Sequence, residues 1–92
     1  MIRSFKDRAT EDVFNGISSK KWGNIQKVAK RKLDMLNAAA NLEDLRVPPQ
    51  NRLKKLHGDH EGRHSIRINK QYRICFRWRS GYAEDVEIAD DH

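Results

Sequence analysis

Lys54, Lys55, His57, Arg67, Arg73 and His92 are the residues of this chain whose types can do chemistry together. Cations stabilise the negative charge that builds on a phosphorane, and an imidazole that titrates near neutrality moves protons, so the set suffices for cleaving RNA without a metal. A histidine at position 92 takes part only if a last strand brings it to the others, because chain ends fray by default. Other chemistries are poorly served. His57, His60 and His64 straddle the Gly58-Asp59 turn, and no thiol or carboxylate pattern completes a tetrahedral zinc set around them. The chain has no glycine-rich phosphate loop, no Ser-His-Asp arrangement and no pair of glycosidase-like carboxylates. Neither a metal nor a cofactor is expected. The single cysteine, Cys75, excludes an internal disulfide and reads as a small side chain packed on a sheet.

The element that must position these residues is the stretch 63–89, where apolar and polar residues alternate. Ile66, Ile68, Tyr72, Ile74, Phe76, Trp78, Val86 and Ile88 fall on even positions, and Arg63, Ser65, Arg67, Arg73, Cys75, Arg77, Asp85 and Glu87 on odd ones. That is the period of half-buried antiparallel strands, here a three-stranded meander divided at Asn69-Lys70-Gln71 and Arg79-Ser80-Gly81. The first turn pairs Ile66 with Ile74 and sets Arg67 opposite Arg73. At the second, a two-residue loop at Ser80-Gly81 would pair Cys75 with Val86 and put the apolar rows on opposite faces. A three-residue loop ending in a left-handed Gly81 is therefore expected, pairing Ile74 with Val86, Tyr72 with Ile88 and Arg73 with Glu87. Facing arginines are unfavourable by roughly 0.2–1 kcal/mol, and a bound anion would relieve them. Alternation also makes Arg73 an outward residue.

Ahead of the meander, residues 1–5 can add a short strand, and Asp7 can cap a short helix that ends at Asn15-Gly16. A longer helix starts at Ser19 or Asn24 and runs to about Ala39, with Ile25, Val28, Ala29, Leu33, Leu36 and Ala40 as its buried stripe. Its other face carries Lys27, Lys30, Arg31 and Asp34, a pattern that solvation alone explains in most helices. Residues 41–50 form a linker packed by Leu42, Leu45 and Val47, since Pro48-Pro49 forbids helix or central strand. One α+β domain over residues 1–92 follows, an antiparallel sheet of three to five strands with two or three N-terminal helices on one face.

The net charge is +6, unevenly spread: residues 52–79 hold nine basic and two acidic residues, whereas residues 82–92 hold five acidic and none basic. A basic centre implies a polyanionic partner, nucleic acid before an anionic membrane. No apolar run approaches a spanning length and no signal-peptide pattern opens the chain, so a soluble, cytosolic protein is expected.

Asn51-Arg52-Leu53, Gly58-Asp59, Ser65-Ile66-Arg67-Ile68-Asn69, Tyr72-Arg73-Ile74-Cys75-Phe76, Val86-Glu87-Ile88 and the final Asp90-Asp91-His92 resemble the HigB toxins of bacterial toxin-antitoxin pairs, within the RelE superfamily. The likeness extends across nearly the whole chain and is most specific at residues 65–76 and at the end. It implies an mRNA endonuclease acting in the ribosomal A site, with the substrate's 2′-hydroxyl as nucleophile, silenced by a helix-turn-helix antitoxin. By position, Arg73 would contact the scissile phosphate, His92 would transfer a proton with Asp90 orienting it, and Lys54 would lie in the active-site loop. Arg67 would be a neighbouring phosphate contact. Lys55, His57 and Asp91 would face the RNA, and Lys20 and Lys21 would join the basic helix face in gripping ribosomal RNA. The ending departs from the family's usual Asp-Tyr-His at Asp91, and position 57 is His where relatives often carry Lys or a small polar residue.

Two rivals stand beside this reading. A ParE-like toxin of the same fold would act on gyrase without nuclease residues, and Arg73 with His92 argues against it. A nucleic-acid-binding regulator without chemistry would need a helix-turn-helix or a pattern of stacking aromatics, and neither is present.

Overall fold

The computed structural model describes residues 1–58 and 62–90, so the expectations for His60, Asp91 and His92 lie outside the described residues. The order is α1 (Arg8–Phe14), α2 (Gln26–Ala38), two 3-10 turns (Leu42–Arg46 and Pro49–Asn51), β1 (Lys54–Lys55), β2 (Arg63–Arg67), β3 (Tyr72–Arg79) and β4 (Tyr82–Asp90). The strands make one antiparallel sheet in the order β1-β2-β3-β4, and the helices cover one face of it. This is the expected α+β architecture. Ile66, Ile74, Phe76 and Val86 meet Val13, Leu33 and Leu36 in a core where all seven are fully buried.

Local chemistry accounts for the helices. Asp7 caps α1 by accepting from the Thr10 amide at 2.7 Å, and Gly16, at φ 77°, takes the chain out of it. The longer helix begins at Gln26, later than either expected start. The Gln26 carboxamide accepts from the Ser19 amide at 2.9 Å and donates to the Ile17 carbonyl at 2.8 Å, which holds the preceding stretch as turns. Ala29, Leu33 and Leu36 form the buried stripe; at its end Ala39 is buried and Ala40 exposed, the reverse of what periodicity indicates. The linker packs through Leu45, while Val47 is 71% exposed and contributes no packing.

Residues 1–6 lie parallel to β4, bridging Ile2 to Ala83 and Phe5 to Val86. They occupy the outer edge of that strand together with α1, whose Thr10 hydroxyl accepts from the Ile88 amide at 3.1 Å. An edge so covered offers no template for further strands.

Register at the first turn is as the sequence predicts, with Ile66 opposite Ile74 and Arg67 opposite Arg73. Asn69 closes that turn by accepting from the Gln71 and Tyr72 amides, both at 2.8 Å. The second turn differs from expectation. Arg79 pairs with Tyr82 across a two-residue loop in which Ser80 (φ 51°) and Gly81 (φ 83°) are both left-handed. The parity problem this creates is solved in the strand: the register shifts between Cys75 and Arg77, with Asp85 at φ 51°, so that Asp85 and Val86 together face Phe76. Beyond the bulge Ile74 pairs with Ile88, Arg73 with Ala89 and Tyr72 with Asp90. Glu87 therefore faces Cys75 and not Arg73, and it does not offset the Arg67–Arg73 opposition as the sequence reading has it.

Candidate functional site

The sheet face away from the helices carries three side-chain rows, each read across β2, β3 and β4. They are Arg63–Arg77–Glu84, Ser65–Cys75–Glu87 (with Lys54 of β1 beside Ser65) and Arg67–Arg73–Ala89. Alternation predicts that this face is solvated, but part of it is not. Arg63, Ser65 and Arg73 are buried, at 8%, 0% and 7% exposure. Arg73 is thus no outward residue. Its Nε donates to Ser65 Oγ at 2.7 Å, and its Nη2 donates to the Arg52 carbonyl at 2.7 Å and the Ser65 carbonyl at 3.3 Å. The segment between the second 3-10 turn and β1 lies over the guanidinium and supplies the Arg52 oxygen.

The two ends of this face differ in charge. At one end Glu87 binds Arg63 at 3.2 Å and Lys6 at 3.1 Å, while Glu84 binds Arg3 at 3.5 Å and Arg79 at 3.7 Å. Those pairs take up Glu84 and Glu87 of the last strand. At the other end Arg52, Arg67 and Lys70 make no ion pair among the described residues. A field that is cancelled at one end and open at the other gives the face a direction for an incoming anion.

Of the residues singled out in the sequence, the structure brings together Arg73, Arg67 and Lys54. Asp90 ends β4 opposite Tyr72, one position from the Arg73 row, and accepts from Gln71 Nε2 at 3.3 Å. Lys55 pairs with His64 and belongs to the helix-covered side. His57 is exposed and lies three residues beyond Lys54, roughly 10 Å along an extended chain and toward the Arg63 end. Lys20 and Lys21 lie in the turn before α2, with Lys21 Nζ 5.1 Å from the centre of the Trp22 ring, which meets Tyr72 edge-on at 5.2 Å. That stack puts the basic turn at the same end of the sheet as Arg73, on the opposite layer.

A family model described as the RelE-like toxin of the type II toxin-antitoxin system HigB matches residues 3–92. The chain belongs to the HigB-like toxin family. It is 40% identical to Toxin HigB-1 of Vibrio cholerae over 94 residues, which cover 100% of this chain and 98% of that protein. Among solved structures, a mutant YafQ from E. coli superposes with a TM-score of 0.63 at 10% identity, covering 99% of this chain and 94% of that one. The YoeB-YefM complex from Staphylococcus aureus gives 0.61 at 17% identity, covering 100% and 98%. At such identities the structural likeness is one of fold, and that fold is the RelE-like one.

In this HigB-like toxin Ser65 and Arg52, both of which hold Arg73, have no site role that the sequence indicates. Ser65 carried a signal, as the one hydroxyl in the odd row beside the arginine pair. Arg52 acts through its carbonyl, which no side-chain pattern reveals, and it does so from a left-handed conformation (φ 45°, ψ 55°) that non-glycine residues seldom adopt.

On the other side of the toxin's sheet His64 stacks on Phe76 with ring centres 6.2 Å apart, its Nδ1 buried without a hydrogen-bond partner among the described residues. Burial first, then the Lys55 charge, holds its pKa below the ordinary 6.5. Above that value His64 is neutral in folded and unfolded chains alike. As pH falls the unfolded chain takes its proton first, so folding loses stability until the folded pKa has been passed. Thermal melts between about pH 7 and about pH 5 should show His64→Phe losing less stability than the parent chain over this range. Parallel losses in the two chains would mean that His64 does not couple folding to acid.

Proposed function

We propose that this HigB-like toxin is a ribosome-dependent mRNA endonuclease, acting in the cytoplasm on mRNA in the A site. The observation that carries the proposal is Arg73, immobilised by Ser65 and Arg52 and set opposite Arg67 at the cationic end of the sheet. A guanidinium fixed in advance stabilises charge that appears only in the transition state, with no reorganisation at the moment of reaction. The 2′-hydroxyl oxygen attacks the adjacent phosphorus as its proton passes to the Lys54 amine, Arg73 and Arg67 carry the phosphorane's charge, and the 5′-oxygen leaves with a proton from His92, which Asp90 orients. Lys54 belongs to the same face through its pairing with Ser65 and serves the 2′-hydroxyl side better than His57, which is further along the chain.

A helix-turn-helix antitoxin is the proposed partner, a reading supported by the family and by the likeness to YoeB in its complex with YefM. No described helix is long and apolar enough to cross a membrane.

Incubating the purified chain with translating ribosomes and mapping mRNA 5′ ends tests the activity: cuts within A-site codons are expected. Intact mRNA together with inhibited gyrase supercoiling would instead identify a ParE-like toxin. Ribosome association should weaken steeply with salt, because each neutralised phosphate releases counterions. Reversing Lys20, Lys21 and Lys27 to Glu should reduce co-sedimentation with ribosomes while the melting temperature holds. Lys30 is better left in place, since it is paired to Asp34 at 2.6 Å. Unchanged co-sedimentation would return this basic surface to ordinary solvation.

A further inference from the structure

We infer that the cleft beside Arg73 is a second phosphate site, built to take the backbone phosphate next to the scissile one. The inference rests on the RNA-cleaving reading and extends the neighbouring-phosphate role of Arg67 to Lys32, Arg52 and Lys70, to which neither the sequence nor the family resemblance gives a role. The cleft, of about 530 Å³, opens between α2, the second 3-10 turn and the β2–β3 turn. Lys32, Arg52, Arg67 and Lys70 line it, with Pro49 and Ile68 as apolar wall and no carboxylate among its lining residues.

Lys32 and Arg67 are anchored through neutral oxygens, so their charge is held in place and left uncancelled. Lys32 Nζ donates to Asn51 Oδ1 at 2.6 Å, and Asn51, fully buried, donates in turn to the Leu45 carbonyl at 3.1 Å. Arg67 Nε donates to the Asn69 carbonyl at 3.0 Å. The Arg52 backbone is left-handed, and its carbonyl accepts from Arg73. Burial, and secondarily the charge of Arg31, lowers the pKa of Lys32, so the ammonium is held where an incoming anion would favour it.

The occupant follows from continuity with Arg73. Two of the four residues reach both places: Arg67 is the cross-strand partner of Arg73, and the Arg52 carbonyl accepts from it. Side chains opposite each other on neighbouring strands are about 4.5–5.5 Å apart at Cβ, so a ligand in the cleft is one residue step from the guanidinium. Regularly repeated charge on a single flexible strand, with a sugar between the charges to lie on Pro49 and Ile68, matches that layout. A lone anion would use only half of it.

The test uses the full chain and a fluorescent 2′-O-methyl trinucleotide, which has two phosphates and cannot be cut, alongside versions with one linkage replaced by a neutral methylphosphonate. Removing either charge should weaken binding to the parent chain about tenfold, the scale of one charge-assisted contact. The Arg52→Asn/Lys70→Gln double variant keeps a residue that tolerates the left-handed backbone and changes an exposed lysine, so its melting temperature should stay near the parent's. It should bind the all-phosphate trinucleotide about tenfold more weakly and lose little more when the linkage seated in the cleft is neutralised, while neutralising the linkage at Arg73 still costs about tenfold. Undiminished losses on neutralising each linkage in turn in the double variant overturn the second site, as does tighter binding of a glutamate peptide of equal charge, which would mark a protein-docking surface. The same variant assayed on programmed ribosomes keeps the two readings apart. Coupling without any mRNA cleavage by the parent chain retains the site and removes the nuclease; cleavage without coupling does the reverse.

Discussion

Arg73→Ala should abolish mRNA cleavage and loosen the fold at the same time, a combination that an arginine on a solvated strand face would not give. Alternation alone makes Arg73 an outward residue whose loss the fold would not notice. Its burial and its bonds to Ser65 Oγ, the Ser65 carbonyl and the Arg52 carbonyl replace that expectation. Truncation leaves those oxygens, two of them in buried bonds, without their donor, at a cost of about 2 kcal/mol, or roughly 8–16 °C in melting temperature for a domain of this size. Arg73→Lys keeps the charge but cannot reproduce the fork, so it should recover part of the stability and little of the rate. Single-turnover cleavage measured well below the melting temperature of each variant separates the two effects. Wild-type cleavage by Arg73→Ala would remove Arg73 from the chemistry, and an unchanged melting temperature would show that its bonds to Ser65 and Arg52 are energetically idle.

The second large effect concerns the end of the chain. Asp90 and Asp91 stand next to His92 in sequence, and nearby carboxylates favour imidazolium over neutral imidazole. A protonated histidine suits donation to the departing 5′-oxygen better than removal of the 2′-hydroxyl proton. His92→Gln and deletion of His92 should each slow cleavage by about 10²–10⁴-fold, the usual worth of a positioned proton donor. The decline in rate at alkaline pH that a protonated donor imposes should vanish with it. Asp91→Tyr should raise the rate, because it removes a charge that repels RNA and supplies a ring on which a base can stack. Full activity without His92 would end its assignment as the acid, and a slower Asp91→Tyr chain would show that the chemistry is adapted to the carboxylate.

The meander was legible because its residues alternate through 63–67, 72–78 and 86–88, and the first turn because Asn69-Lys70-Gln71 leaves few ways to pair Ile66 with Ile74. At the second turn the sequence reading correctly requires both apolar rows to share a face, but it meets the requirement with a longer loop. Asp85 gives no sign of being a bulge, since aspartate is at home in many conformations. The cost of that miss is a register two residues short, which would leave Asp90 level with the turn instead of beside Tyr72. The burial of Arg73 was hidden for a different reason: its cover comes from residues outside the strands, and the two-residue β1 is too short to show a period. Which arginines are neutralised depends on register and on Lys6 and Arg3 from the far end of the chain, so the cationic cleft could not be located from charge counts. Arg67, Arg73 and Lys54 were readable as a group; the residues that hold them were not.

The bulge at Asp85 also decides which changes of length the last hairpin can inherit. A residue lost at the bulge merely regularises the strand: Val86 then faces Phe76 alone, and Ile88, Ala89 and Asp90 keep their partners on β3. The loss falls instead on the bonds that Asp85 makes through its backbone, to Arg63 at 3.1 Å and to Ser4 Oγ at 2.9 Å. A residue lost between the bulge and Asp90 has no such remedy, because straightening the bulge to absorb it turns Val86 out of the core and keeping the bulge turns the end of the strand over. Lineages of this chain can therefore shed or gain a residue near Asp85 while the geometry around Arg73 persists, whereas the last few residues of β4 are fixed in number.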